Sequence, residues 1–514
     1  MIDIVKRFVS MAPMKLQVTP IEEALFGRLL KVAGSDVTLR VAGGWVRDRL
    51  LTQHANQDSA PGHDIDILVV GMSGEEFGKR VVVELELDKL STFRANPEKS
   101  KHVETSRVNI GPIEIDFAMG RKETYDDESR IPVSVEPGTP EEDANRRDFT
   151  INSMFWNLST NELEDFTGQG LTDLFGDRTN SGTIRSPGDP LRRFMDDPLR
   201  VLRGLRFSAR FGLPIHQDTW AAMSDPKVIR CLFEKTARER IGEEFLKSMK
   251  ECPRANDFFE KANELGLWDR LVTDALLGSE FEGKLAPWAM SQKNRHHQLN
   301  LWDHTMQVVK ACGEDPVVRI AAFLHDIGKR FVPCQGTNTA GDTNYHEHED
   351  HSAKIAKLFL SHLHLPSEVV DLVCPLIAMH MRPYSLMDAS PKSIRRMLRD
   401  MDTAHISLEN LFQHVTADVT AKSENRIDSE AELKQVLDLR ARMQKISEEP
   451  ILVPRNTCIL DGNEIKEALN RPKDGPWIKA AKTWLLDKMD EGPLTKENAI
   501  TELIGAVATG ALQL

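Results

Sequence analysis

The stretch from Val41 to Val70 constrains this chain more than any other. It opens on VAGGWVRDRLL, passes through a polar loop and closes on HDIDILVV. In the closing half, Asp64, Ile65, Asp66 and Ile67 alternate acid with aliphatic before running into Leu68, Val69 and Val70. A β-strand turns successive side chains to opposite faces, so both carboxylates share one face and form a seat for a divalent cation. The opening half sets Gly43 and Gly44 after Val41 and Ala42 and ahead of Arg47 and Asp48. That leaves an uncluttered backbone with N–H groups, and a cation beside it, to lie against a polyphosphate. A metal seat and a phosphate cradle within one strand-turn-helix-strand unit point to nucleotidyl transfer.

Either half alone has a plainer meaning, a half-buried edge strand or a simple turn. A third acid shifts the balance. Residues 108–118 read as another strand, VNIGPIEIDFA, with Glu114 and Asp116 on one face. Two metal ions roughly 4 Å apart need bridging and flanking carboxylates, and Asp64, Asp66 and Asp116 supply them. One ion would lower the pKa of an attacking 3′-hydroxyl, and the other would hold the triphosphate and the leaving pyrophosphate.

Around this unit, residues 15–35 carry an apolar helical pattern behind Thr19-Pro20, a cap and a first-turn proline. Ser73 to Leu87 read as a helix and the 91–118 region as strands. The segment from Arg121 to Asn145, rich in charge, proline and glycine, reads as a mobile loop. RRDFTINSMF (146–155) reads as the start of a helix with Asp148 near its positive end. In DDPLRVLRGLRFSARF, Leu199, Leu202, Leu205 and Phe207 alternate with Arg200, Arg203, Arg206 and Arg210. Spacings of three and four set the arginines on one side of a helix, either as a solvated face or as a contact surface for RNA. Asp197 and Arg200, three apart, can both point into a cleft, where a carboxylate accepts and a guanidinium donates. Such a pair can address the Watson–Crick edge of cytosine or adenine without a nucleic-acid template.

GGWVRD, DID, RRDFTINSMF and DDPLRVLRGLRFSARF, in that order, resemble the signatures of class II tRNA nucleotidyltransferases, the family of CCA-adding enzymes and bacterial poly(A) polymerases. SRIP (129–132), GTPEEDANRRDFT (138–150) and EDFTGQGLTDL (164–174) are most similar to CCA-adding members, and the resemblance runs over roughly residues 15 to 250. It implies that the 121–145 segment moves as nucleotide specificity changes, carrying Arg121 and Tyr125. It implies that Arg147 and Asp148, with Asn152 close by, contact the ribose and phosphates of the incoming nucleotide, and that Asp197 and Arg200 select the base. Arg203 and Arg206 are expected on phosphates, and Arg240 with Glu243, in the following ERIxxE-like motif, in a supporting role.

From about residue 298 histidines gather. His304 lies on an amphipathic helical pattern, and the next one ends in AAFLHDIGK (321–329). Adjacent His325 and Asp326 can give one ion two ligands, and imidazole with carboxylate suits a divalent metal such as Mn, Fe, Ni or Zn. His348, His380 and Asp418 follow, each within helical pattern. This stretch resembles an HD-type phosphohydrolase domain, such as some bacterial CCA-adding enzymes carry. The resemblance implies His304, His325, Asp326 and Asp418 as metal ligands, His348 and His380 as further site residues, and hydrolysis of 2′,3′-cyclic or 2′-phosphate ends.

The fold class expected is α+β. A small nucleotidyltransferase head of sheet and helices, similar to a polymerase β palm, occupies residues 1–155. An all-α neck and body for base selection and tRNA binding spans 156–295, a helical HD domain 296–430 and a helical tail 431–514. The activity expected is transfer of CMP and AMP from CTP and ATP to the tRNA 3′ end at an Mg2+-dependent site. A poly(A) polymerase, or an enzyme adding only CC or only A, shares nearly all these motifs, and an RNA-binding protein with a decayed core is the rival of another class.

A net charge of −13 argues against a generally basic surface, but the seven arginines between Arg185 and Arg210 concentrate positive charge locally. Six cysteines without a CxxC pair indicate free thiols. No apolar run approaches the roughly 20 residues of a membrane span and the N-terminus lacks a signal-peptide core, so a cytoplasmic enzyme without membrane contact is expected.

Overall fold

The computed structural model describes residues 15–57, 62, 64–87, 91–93, 105–124, 134–177, 179, 181–292, 299–339, 341–422, 426–448, 458–489, 491 and 494–513. Its contacts divide the chain into two compact units, Met1–Glu244 and Phe245–Leu514.

The first unit begins with α1 (Pro20–Ala33), where the Thr19 hydroxyl accepts from the Glu22 N–H, Glu22 reaches back, and Pro20 opens the first turn. There follow β1 (Thr38–Ala42), α2 (Gly44–His54), β2 (Asp64–Val70), α3 (Gly74–Glu84), β3 (Ser91–Phe93), β4 (Thr105–Ile110), β5 (Ile113–Met119), β6 (Arg121–Thr124), β7 (Ser134–Pro137), α4 (Pro140–Arg146), β8 (Phe155–Asn157) and β9 (Glu162–Glu164). Seven strands form one sheet in the order β3-β4-β5-β2-β1-β8-β9. Only β2 and β5 run parallel within it, and their register sets Asp64 opposite Glu114 and Asp66 opposite Asp116. The aliphatic face of the same two strands (Ile65, Ile67, Ile115 and Phe117) is buried. Phe77 of α3 meets Phe117 edge-to-face at 5.0 Å. Gly74 lets α3 come this close, since a Cβ there would stand 2.3 Å from the Phe117 carbonyl oxygen.

Three local expectations are corrected here. Residues 108–118 are the ends of two antiparallel strands joined at Gly111, whose φ of +61° closes the turn. Where a mobile loop was expected over 121–145, β6 pairs with β7, and α4 starts at Thr139 in a capping box with Glu142. The T-x-x-E signal was present under a loop-like composition. Tyr125 lies outside the described residues. RRDFTINSMF does not start a helix, because α4 ends at Arg146, a single 3-10 turn covers Thr150–Asn152, and the chain then extends into β8 to pair with β1.

After the sheet the unit is helical, with α5 (Gly170–Phe175), α6 (Pro190–Asp196), α7 (Arg200–Phe211), α8 (Gln217–Met223), α9 (Pro226–Lys235) and the part of α10 (Arg238–Glu251) up to Glu244. Val201, Leu202, Leu205 and Phe207 bury one side of α7.

In the second unit come α11 (Ala255–Glu264), α12 (Leu267–Ala275), α13 (Leu301–Ala311), α14 (Pro316–Leu324), a short hairpin of β10 (Gln335–Thr337) and β11 (Thr343–Tyr345), α15 (His348–His362), α16 (Ser367–Met379), α17 (Pro391–Thr403), α18 (Leu408–Ala421), α19 (Arg426–Ser447), α20 (Gly462–Ala468), α21 (Pro476–Met489) and α22 (Lys496–Ala508). Its core includes Phe258, Phe259, Trp268 and Phe323, with the Phe259 and Phe323 rings stacked 4.0 Å apart. The last three helices close on Leu460, Ile465, Leu485 and Leu503. Asp487 of α21, 1% exposed, ties them to α17 through Arg396 and Arg399. The fold class is α+β, as expected. Among the described residues no helix is long and apolar enough to cross a membrane, and all six cysteines are free thiols.

One buried carboxylate ties the elements ahead of the acid strand. Glu22 accepts from Trp45 Nε1 at 2.8 Å, from Arg49 and from the Gly62 N–H at 2.9 Å, joining α1, α2 and the residue two before Asp64. Burial alone would raise the Glu22 pKa, but hydrogen bonds from Gly62, Thr19 and Trp45 bring it below its ordinary value. Glu22→Ala removes the buried acceptor that Trp45, Arg49 and the Gly62 N–H share. The expected cost is about 3 kcal/mol, read as a lower urea midpoint for the first unit.

Candidate functional site

The first cluster of chemistry lies along the polar face of β2 and β5. The parallel register brings Asp64, Asp66, Glu114 and Asp116 onto neighbouring positions. Burial raises the Asp66 pKa, and the charges of Asp64 and Asp116 raise it further, while Arg147 and Arg107 oppose them. Asp66 nevertheless keeps solvent contact on its cleft side. A carboxylate so placed between other acids suits a divalent cation. A cleft of about 410 Å3 opens here, lined by Gly44, Trp45, Asp48, Arg49, Gly62, Asp64 and Asp66 among others.

Gly43 precedes α2 with a φ of +71°, a conformation that favours glycine. A Cβ on it would meet the Arg147 guanidinium at 3.1 Å and lie 3.7 Å from Asp66 Oδ2. The glycine turn, Arg147 and Asp66 therefore meet at one point, with the first turn of α2 starting beside them. Arg147 is held there by Asp143 and by the Asn152 carbonyl.

Arg47 departs from the expectation of a cation open to phosphate. It is 4% exposed, donates to Asp48 and Asn152, and lies 5.2 Å and 4.9 Å from the ring centres of Phe207 and Phe211. Those rings cover it, so it orients Asp48 and Asn152. Asp148 accepts from Arg203 at 2.6 Å and from Asn152 at 3.0 Å. Burial would raise the Asp148 pKa, yet Arg203 and the Asn152 hydrogen bond hold it well below the usual carboxylate range.

Asp197 and Arg200 do not bond to each other through their side chains. Asp197 accepts two hydrogen bonds from Arg240, at 3.2 Å and 2.9 Å, while Arg200 donates to the carbonyls of Arg193 and Arg146. The Arg146 contact links the start of α7 to the end of α4. Arg206, expected on a phosphate, is 4% exposed, with its Nε 2.8 Å from the Glu244 carboxylate. Arg203 also reaches Glu244, at 3.4 Å. The acid of α10 that meets Arg203 and Arg206 is Glu244, the last residue of the ERIxxE-like stretch. Arg240 and Glu244 are one helical turn apart and share a face.

The second cluster lies in the second unit, at the ends and inner faces of its helices. His325 ends α14, His380 ends α16, His348 begins α15, and His304 and Asp418 come from α13 and α18. Asp326 sits between them. Its Oδ2 is 3.2 Å from His325 Nε2 and 3.6 Å from His304 Nε2, while its Oδ1 is 3.2 Å from His348 Nε2 and 3.9 Å from His380 Nε2. Asp418 Oδ1 is 3.1 Å from His304 Nε2.

Two groups able to hold a cation result, His304–His325–Asp326 and Asp326–His348–His380. The Nδ1 atoms of His325, His348 and His380 each donate to a backbone carbonyl three residues earlier, which turns Nε2 inward. Lys329 donates to Asp326 at 2.7 Å, and Tyr384 to Asp418 at 2.6 Å. Burial would raise the Asp326 pKa, but His325 and Lys329 hold it well below the ordinary range. Gly328 lets α15 approach the HD turn, for a Cβ there would stand 2.2 Å from the His348 carbonyl oxygen.

Residues 39–178 match the model of the poly A polymerase head domain, and residues 296–443 match that of the HD domain. A tRNA nucleotidyltransferase of Schizosaccharomyces pombe is 39% identical over 228 residues, 42% of this chain and 44% of that one, so the chain spans less than half of that relative. A multifunctional CCA protein of Legionella pneumophila is 25% identical over 84% of this chain and 95% of its own length. The fold is similar to that of the Bacillus stearothermophilus CCA-adding enzyme in complex with CTP, with a TM-score of 0.60 and 20% identity over 96% of this chain and 99% of that one. The resemblance read from the motifs is borne out.

Sequence reasoning missed residues in both domains. In the head, Arg107 of β4 lies opposite Asp116 and donates to it at 2.7 Å and 2.6 Å, while also pairing with Glu114 at 2.7 Å. Its role depends on strand register, which the unpaired sequence does not carry. In the HD domain a fifth imidazole, His414, joins the cluster. Its spacing of four from Asp418 was the available signal.

The Asp148–Arg203 pair sets an acid limit on the head domain. Folded Asp148 binds its proton less tightly than the unfolded chain does. Its stabilising contribution is complete above about pH 5 and is lost as pH falls through and below the ordinary carboxylate range near 4. Chemical denaturation of wild type and Asp148→Asn at pH 7 and at about pH 3.5 should show a stability gap that narrows in acid.

Proposed function

We propose that this chain adds CCA to the 3′ end of tRNA from CTP and ATP without a nucleic-acid template. The observation that carries the reading is the parallel pairing of β2 with β5, which gathers Asp64, Asp66 and Asp116 beside a glycine turn. Its support from likeness is the nucleotidyltransferase and CCA names of relatives that match the head domain and most of the chain.

In this reading Asp64, Asp66 and Asp116 hold two Mg2+ ions, which when bound would acidify the 3′-hydroxyl and neutralise the triphosphate and leaving pyrophosphate. The backbone at Gly43 and Gly44 and the first turn of α2 offer N–H groups to the phosphates. Arg147 adds positive charge at the same point. Arg47 fixes Asp48 and Asn152, and Arg203 fixes Asp148, so that groups facing the nucleotide are set before it arrives. Asp197, oriented by Arg240, and Arg200, oriented by the Arg146 and Arg193 carbonyls, present acceptor and donors to the base. Selection of the base then depends on where α4 and α7 hold these two side chains.

The same proposal divides the chain into a head (1–155), a neck and body that engages tRNA (156–295), an HD domain (296–430) and a tail (431–514), working in the cytoplasm. In the HD domain His304, His325, Asp326 and Asp418, with His348 and His380, hold Mn, Ni, Fe or Zn. Their activity is hydrolysis of 2′,3′-cyclic or 2′-phosphate ends, which lets one chain clear a damaged 3′ end and rebuild it.

Incubating tRNA lacking CCA with labelled CTP and ATP, singly and together, tests the transferase reading. Addition of two C residues and one A supports it, and a long A tail on generic RNA favours a poly(A) polymerase. Asp64→Ala should lower incorporation by at least about 10³-fold while tRNA binding persists, and retained incorporation would remove the acid from the site. Metal-stripped protein given Mn2+ or Ni2+ should release phosphate or open the ring of 2′,3′-cyclic AMP. Lack of turnover with every metal tried would refute the hydrolase reading alone.

A further inference from the structure

The HD cluster contains an imidazole that none of these roles uses. His414 lies four residues ahead of Asp418 on α18, on the same face of the helix. Its ring meets that of His325 at 5.1 Å and that of His380 at 5.7 Å, edge-to-face in both cases. The side chain is fully buried, and neither ring nitrogen has a hydrogen-bond partner.

A neutral imidazole offers one donor and one acceptor, and burying both unmatched is costly. The neighbouring histidines avoid that cost on one side, because His325, His348 and His380 each spend Nδ1 on a carbonyl. His414 has no such contact. The two sides of Asp326 are also unequal. Its Oδ2 faces His304 and His325, with Asp418 adding a carboxylate oxygen, whereas its Oδ1 faces His348 and His380. The His414 ring lies against both sets, nearest His325 on the Oδ2 side and next to His380 on the Oδ1 side.

We propose that His414 is a further ligand of the divalent centre, its ring nitrogen joining the seat beside His325 and His380. The inference rests on the metal-binding reading of the HD domain. A cation there satisfies a buried lone pair that no protein donor reaches, and imidazole suits the borderline-soft divalent ions that histidine clusters select.

The full chain, stripped with a chelator and titrated with Co2+ as a spectroscopic probe, tests this directly. Wild type should bind two ions, with visible absorption that reports their ligand sets. In His414→Ala and His414→Gln the weaker ion should bind at least about 10- to 100-fold less tightly, with its absorption band shifted. Thermal unfolding of the metal-free proteins checks that the variants fold. Should they not, wild-type crystals soaked in Co2+ give an answer without substitution, since anomalous density should place an ion about 2.0–2.2 Å from a His414 nitrogen. Unchanged affinity and spectrum in folded variants, or bound ions with His414 beyond ligand distance, overturn the inference while leaving the HD reading intact. A wild type that binds no Co2+ overturns both.

Discussion

Like charges must be held together for the head domain to exist in this form, and the parallel pairing of β2 with β5 does the holding. Burial of Ile65, Ile67, Ile115 and Phe117 on the other face specifies the register, and in that register Asp66 is kept beside Asp116 and Asp64 beside Glu114. The repulsion this creates is visible in the raised pKa of Asp66, to which burial contributes first and the neighbouring acids next. The opposite face of the same strands offsets it, with Ile65, Ile67, Ile115 and Phe117 buried against α3. Apolar burial on one side thus stabilises an unfavourable charge arrangement on the other, which is how a site can be set up before its ligand arrives.

The HD domain meets the same problem with a different solution. Asp326 and Asp418 are both buried, and positive or protonatable groups surround them: Lys329 on Asp326, Lys422 within 3.4 Å of Asp418, and the ring of histidines. Helix ends supply the positions. His325 and His380 each stand at the last turn of an apolar helix, where a carbonyl three residues back takes Nδ1 and aims Nε2 at the carboxylates. Precision here comes from the backbone of α14 and α16 rather than from side chains packed around the imidazoles, so the ligand set is fixed as firmly as the helices are.

What was legible in the sequence follows from what each feature depends on. The DID strand, the glycine turn and the adjacent His325-Asp326 carry their chemistry in local spacing, and they could be read from the chain directly. Arg107 acquires meaning only from what lies across from it, whereas Glu244, the last residue of the ERIxxE spacing from Glu239, and His414, four residues ahead of Asp418, carried local signals. Arg107 is one arginine among many until β4 is set against β5. The described parts of 121–145, residues 121–124 and 134–145, are a different failure. Proline and charge there mark a capped helix, α4, but in composition they look like a loop, and the capping signal lost to the average. The helix expected at 146–155 failed because pairing of β8 with β1 outweighs the local preference of a short polar run.

Arg107 also bears on how the head site can fill. Asp116 gives both its oxygens to that guanidinium, and Glu114 shares it, whereas Asp64 and Asp66 face the cleft. A cation using only Asp64 and Asp66 can enter without breaking an ion pair. One that uses Asp116 must share it with Arg107 or displace it, and displacement leaves the arginine to Glu114, 2.7 Å away, rather than stranded. Glu114 is therefore more than a fourth acid in a crowded row. By offering Arg107 a second partner on the same strand, it would lower the cost of releasing Asp116 to a metal held by these acids, and the two-residue spacing of β5 puts both acids on one face.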